Sequence, residues 1–218
     1  FMKEASIIKE LYKDRKTDTI LDDCYFFDGK YLITTDTITE GTHFKHEWSS
    51  AADIAYKLIE VNVSDIAASG GLPKLAFLNL GLSQFSKKSL WLKPFLKHLQ
   101  KALLKYNIKL EGGDTYYSTH TNLTLALIGE TRNPIFRHTG KNNDLVYITG
   151  SIGLSNLGYK ILKNNLKLPL DIKKEAMNRH LRPKARLELS RKIARKYKVS
   201  AMMDITDGLI QDGEKLAL

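Results

Sequence analysis

The chain has 218 residues, 43% of them hydrophobic, enough to bury a core as one domain or two small ones. Its net charge of +10 is spread over several predicted helices, with no aromatics interleaved on a strand face, so a nucleic-acid partner is not expected. No run approaches the roughly 18 apolar residues of a membrane span, and the lone cysteine, Cys24, excludes an intrachain disulfide. A cytoplasmic protein is the default expectation.

In chain order, residues 3–13 read as a short helix with Ile7, Ile8 and Leu11 on one face. Residues 31–35 read as a strand. Residues 51–68 form a helix, capped by Ser49 or Ser50 and ended by Gly70-Gly71. A buried strand follows at 75–82. Residues 88–105 give an amphipathic helix, with Trp91, Phe95, Leu99, Leu103 and Tyr106 on one stripe. Strands are expected at 107–111, 122–130 and 144–149, helices over much of 154–197, and a last short strand at 201–204. Residues 211–218 look like the opening turns of a helix. Mixed elements of this kind imply an α/β or α+β architecture. The loop at 131–143, with Asn133-Pro134 and Gly140, is the candidate boundary between two domains.

Familiar phosphate-binding and nucleophile motifs are missing: there is no G-x-x-x-x-G-K-[ST] loop, no G-x-G-x-x-G after a strand and no G-x-S-x-G elbow. His43 and His46 lack partners for a zinc site. What recurs is aspartate next to predicted strands. Asp22-Asp23 precede the first strand segment. Asp36, Asp114 and the pair Asp204 and Asp207 follow the strands at 31–35, 107–111 and 201–204. Carboxylates at strand ends can converge at one rim of a sheet, and hard oxygen ligands of this kind suit Mg²⁺ together with substrate phosphates. The glycines before Asp114 would let backbone N–H groups approach a phosphate. Taken singly, each of these aspartates also fits an ordinary turn or cap. Asp65 is more specific: it follows Ile54, Leu58 and Val61 on the buried stripe of its helix, where a carboxylate is costly unless paired or coordinated. On spacing alone it could equally cap a loop or pair with a buried base. Tyr106 fits packing, and His43 and Arg137 fit loops.

Read in order, these segments resemble the thiamine-monophosphate kinase family. The resemblance is carried by Asp22-Asp23-Cys24, by Thr34-Thr35-Asp36-Thr37 through Glu40-Gly41-Thr42-His43-Phe44, and by Asp53 to Lys57 continuing to the run Val61 to Gly70. Gly112-Gly113-Asp114-Thr115, Arg137 to Gly140, Asp144 to Gly150, Arg179 to Pro183 and Asp204 to Gly208 complete it. It covers nearly the whole chain. Four departures stand out: Leu21 in place of a usual Gly, Tyr25 in place of a small residue, Leu154 in place of a common Asp, and Thr206 in place of Ser.

The family belongs to a superfamily of ATP-using enzymes that includes aminoimidazole ribonucleotide synthetase and selenophosphate synthetase. The resemblance therefore implies a two-domain mixed α/β (α+β) fold. Residues 1–135 would form an N-terminal ATP- and Mg-binding domain whose sheet pairs across a homodimer. Residues 136–218 would begin a C-terminal α/β domain that the chain leaves incomplete. The implied reaction is ATP-dependent phosphorylation of thiamine monophosphate to thiamine diphosphate, assisted by several Mg²⁺ ions and without a dedicated general base. By position, Asp23, Thr34, Thr35, Asp36, Asp65, Asp114, Asp204 and Asp207 would hold metal. Tyr106, Gly113, Asp114, Arg137 and Thr206 would contact ATP, and His43 would face the thiamine phosphate. The competing readings are another ATP-using ligase or synthetase of the superfamily, a metal-dependent phosphohydrolase, and a non-catalytic nucleotide-binding module.

Overall fold

The computed structural model describes residues 4–11 and 22–217; the expected helix positions 3, 12, 13 and 218, and Leu21, lie outside them. Helix α1 spans Glu4–Leu11, strand β1 Tyr25–Phe27 and strand β2 Tyr31–Thr39. Helix α2 runs over Ala51–Ala68, followed by β3 (Leu72–Leu82), α3 (Ser89–Lys105), β4 (Lys109–Tyr117) and β5 (Asn122–Glu130). A 3₁₀ turn at Arg137–Thr139 leads to α4 (Leu154–Asn164), α5 (Leu170–Leu181), α6 (Leu187–Lys196) and α7 (Leu209–Ala217).

The five strands form one mixed sheet in the order β1-β2-β5-β3-β4. All pairs are antiparallel except β3 with β4, which the crossover helix α3 joins in parallel. Strand β5 alternates strictly, with Leu123, Leu125 and Leu127 fully buried on one face. That face receives α2 through Ile54, Leu58, Ile59, Val63 and Ile66, and α3 through Phe95, Leu99 and Leu103. Among the described residues the opposite face has no such cover: Thr35 and Thr37 on β2 and Phe77 and Asn79 on β3 are exposed there.

Helix α2 starts as its sequence implies. Ser50 accepts from the Asp53 backbone N–H, and Asp53 returns a bond to Ser50, a capping box. Gly70, at φ +72°, ends the run in a left-handed turn. Asp53 also takes the guanidinium of Arg182, which stacks 5.6 Å over the Tyr56 ring, so the end of α5 is tied to the start of α2. Helix α6 lies against the other end of α2, with Leu187 in the core and the Ser190 hydroxyl bonded to the Ala67 carbonyl.

Four expectations are corrected. Residues 144–149 and 201–204 are not strands: Leu145, Val146 and Tyr147 are 79%, 76% and 82% exposed, and an extended segment without a neighbour for its N–H and C=O groups forms no ladder. Asp36 does not end a strand but sits inside β2, which runs on to Thr39. Gly112-Gly113-Asp114 likewise lies inside β4. The glycines serve the sheet itself. The register shifts there, and a Cβ on Gly113, at φ +145°, would fall 1.8 Å from the Leu78 carbonyl oxygen.

Candidate active site

Four of the aspartates singled out by sequence come into one electrostatic neighbourhood. Asp36 comes from β2, Asp65 from the last turns of α2, Asp23 from the segment before β1, and Asp204 from the open segment before α7. Burial first, then the Asp204 and Asp36 charges, push Asp65 from its ordinary 3.8 up to about 9. Burial and Asp204 push Asp23 up to about 7 against the opposing pull of Arg137. Burial raises Asp36, and burial followed by the Asp36 charge raises Asp204. The site is short of positive charge.

Hydroxyl and amide groups hold these carboxylates in place. The Thr34 hydroxyl donates to Asp65 Oδ2 at 2.6 Å, and the Ser64 hydroxyl donates to Asp204 Oδ2 at 2.6 Å. Asn62, fully buried, accepts from the Asp36 backbone N–H at 3.1 Å and donates to the Leu58 carbonyl. Asp23 Oδ2 is buried with no hydrogen-bond partner among the described residues. Its Oδ1 lies 3.9 Å from the Arg137 guanidinium. Asp22 fixes the Arg137 turn by accepting from the Arg137 backbone N–H and meeting His138 Nδ1, each at 3.1 Å.

Among the described residues no group of three or more Asp, Glu, His or Cys side chains forms a metal-holding cluster by itself. The donor set nevertheless fits a hard divalent ion: all oxygen, under-compensated, and with one buried carboxylate oxygen unpartnered.

Other expected residues lie elsewhere. Thr35 points from β2 to the open sheet face, away from Thr34 and Asp36. Asp114, paired in register with exposed Asn79, belongs to that same face on the edge strand; its Oδ1 accepts from the Thr115 N–H. Three strand spacings separate β4 from β2, roughly 14 Å. Asp207 is bound by Lys215 at 2.8 Å and stays exposed. Thr206 lies in the turn before α7, where Asp212 Oδ2, on a side chain only 1% exposed, accepts from the N–H groups of Thr206, Asp207 and Gly208 at 2.9–3.0 Å. Tyr106 donates to Glu60 Oε2 at 2.7 Å and accepts from Lys105 at 2.8 Å. Glu60, 3% exposed, also receives the Ala185 N–H and Lys105. Burial and this carboxylate drive the phenol well above its ordinary value.

His43 lines a cavity of about 210 Å³ between the β2–α2 connection and helices α4 and α5. Phe44, Trp48 and Tyr159 supply its aromatic walls, and Lys45, Lys163 and His180 its basic ones. Burial and then Lys57 lower His43, which also feels the Asp36 charge, so the cavity adjoins the carboxylates. Asp22, Asn62, Ser64 and Asp212 had no assigned role at the sequence level. Asn62 and Ser64 stand within the Val61–Gly70 run, and their spacing from Asp65 was the available signal.

This geometry, a mixed sheet packed against helices with aspartates gathered on one side, is that of a mixed α/β domain. Residues 21–131 match the family model described as AIR synthase related protein, N-terminal domain. The chain is 53% identical to a thiamine-monophosphate kinase of Leptospira interrogans, over 99% of this chain and 70% of that relative. A thiamine-monophosphate kinase of Buchnera aphidicola (Schizaphis graminum) is 39% identical, over 83% of this chain and 55% of its own length. A solved structure described as AaThiL complexed with AMPPCP and TMP superposes with a TM-score of 0.89 at 31% identity, covering all of this chain and 72% of its own. The chain belongs to the thiamine-monophosphate kinase family.

Proposed function

We propose that this chain transfers the γ-phosphoryl group of ATP to the phosphate of thiamine monophosphate, giving thiamine diphosphate and ADP in the cytoplasm. An oxygen of the acceptor phosphate forms a bond to the γ-phosphorus as the bond to the β–γ bridging oxygen breaks, and that electron pair leaves with ADP. The acceptor oxygen is already ionised near neutral pH, so no dedicated general base is required, and positioning and charge neutralisation carry the reaction. The observation that supports this most is the gathering of Asp23, Asp36, Asp65 and Asp204, whose charges act on one another, next to an aromatic- and cation-lined cavity bearing His43.

In this reading Asp23, Asp36, Asp65 and Asp204, with Thr34, hold Mg²⁺. Bound there, the ions would supply the positive charge that offsets repulsion between the phosphates. Arg137, beside Asp23, adds charge-assisted bonds to the nucleotide. Thr206 and Tyr106 contact ATP, and His43 faces the thiamine phosphate. Asp207 joins the metal set only by exchanging its Lys215 partner. Thr35, Gly113 and Asp114 serve a site completed by a second copy packed on the uncovered sheet face, where Phe77 is exposed; this is the homodimer of the reading. Residues 1–135 then form the ATP- and metal-binding domain, and residues 136–218 belong to the second.

Purified protein, ATP, Mg²⁺ and thiamine monophosphate should yield thiamine diphosphate in step with ADP. ATP turnover of equal rate without the thiamine compound would point to a phosphohydrolase and overturn the assignment.

A further inference from the structure

Lys57 has no role in the site so far described. It projects from α2 at the start of the face that carries Ser64 and Asp65, two helical turns further on, so its backbone stands roughly 11 Å along the axis from those residues. Its Nζ donates to the His43 carbonyl oxygen at 3.1 Å, and its charge also acts on the His180 ring. His43 and His180 line the same cavity from opposite elements, one from the β2–α2 connection and one from α5. The ammonium therefore stands beside the His43 wall of the cavity, two turns of α2 away from Asp65.

The cations around this cavity are not equivalent. Lys45 sits 5.1 Å over the Trp48 ring and Lys163 5.6 Å over the Tyr159 ring. Lys57 stacks on no ring and forms no ion pair among the described residues; the neighbouring carboxylate, Asp53, is taken up by Ser50 and Arg182. A half-buried ammonium with one neutral acceptor keeps two further donors that an anion could take. Burial lowers Lys57 from 10.5 to about 8 against the opposing pull of Asp53. His43 and His180 are both lowered chiefly by burial, His180 to about 4, and so are neutral at pH 7. Neutral imidazoles leave the lysines, Lys57 among them, as the positive charges at and beside this cavity.

We propose that Lys57 is a binding residue for the acceptor: its ammonium grips the phosphate of thiamine monophosphate from the side opposite the carboxylates, so that the phosphate is held between a lysine and the metal-binding face of α2. This rests on the thiamine-monophosphate kinase reading. Lys57→Met keeps the aliphatic stem and removes the charge. It should raise KM for thiamine monophosphate by about tenfold or more, as expected for loss of a charge-assisted phosphate contact. KM for ATP should stay within about twofold, and Lys57→Arg should restore part of the loss. Competition by thiamine, which lacks the phosphate, should be unchanged in Lys57→Met. An equal KM for thiamine monophosphate in wild type and Lys57→Met would overturn the role of Lys57. So would a loss in Lys57→Met that extends equally to thiamine and to ATP. If Lys57→Met does not fold, Lys57→Gln and Lys57→Arg are compared by the same two constants, with the same outcomes deciding. A wild-type protein that makes no thiamine diphosphate would instead overturn the activity reading.

Discussion

Replacing Asp65 by Asn should make the metal-free protein more stable while removing its activity. In the metal-free fold Asp65 lies near 9, against 3.8 for a free carboxyl. Folding at pH 7 therefore obliges this group to take up a proton, a cost of about 4 kcal/mol. An amide has no such cost. Asn keeps an oxygen for the Thr34 hydroxyl, but as a weaker acceptor, and the other carboxylates relax once Asp65 loses its charge. These offsets leave a net gain of about 2 kcal/mol, or about 4–8 °C in Tm for a chain of this size. The sign with pH is fixed. A carboxyl raised in the fold contributes full stability below pH 4 and loses it as pH rises towards 9, so the advantage of Asp65→Asn should grow across that window. The assay is thermal melting in EDTA at pH 5, 7 and 8.5, alongside calorimetric titration of Mg²⁺–ATP and turnover per folded molecule. A lower Tm for Asp65→Asn at all three pH values, with turnover per folded molecule intact, would refute the reasoning and make Asp65 a structural residue.

Three further substitutions probe the rest of the site. Arg137→Met should raise KM for ATP by about tenfold through loss of a charge-assisted contact, and an unchanged KM would remove Arg137 from the nucleotide site. Asp212→Ala strips a buried acceptor from three backbone N–H groups and should cost about 2–3 kcal/mol, read as a fall in Tm of about 4–12 °C; an unmoved Tm would contradict the cap. Tyr106→Phe leaves buried Glu60 one donor short and should cost about 1 kcal/mol in a thermal melt. It should also weaken ATP binding, and no change in either would remove Tyr106 from both roles.

Local signals predicted the elements they specify. The Ser50–Asp53 box and Gly70 bound α2, and the apolar alternation of residues 122–130 delimits β5. Asp65 was legible because a carboxylate on an apolar stripe violates the helix pattern. Residues 144–149 are rich in strand formers, but pairing depends on a neighbour that composition does not encode, and in the fold they stand exposed. The side of the sheet taken by each aspartate was equally hidden. It follows from register, which sets Asp36 towards α2 and Asp114 towards the open face. Gly112-Gly113 suggested a phosphate loop, whereas the close approach of β4 to Leu78 is what demands Gly113. Lys57 and Asp212 are common residue types on helices, and only their burial and partners distinguish them.

The central claim is direct transfer of the terminal phosphoryl group to an acceptor phosphate. ATP labelled at the γ-phosphate, mixed with the protein, Mg²⁺ and thiamine monophosphate, should place the label in thiamine diphosphate in equal amount to the ADP formed. Label recovered as inorganic phosphate, with thiamine monophosphate unchanged, would contradict it.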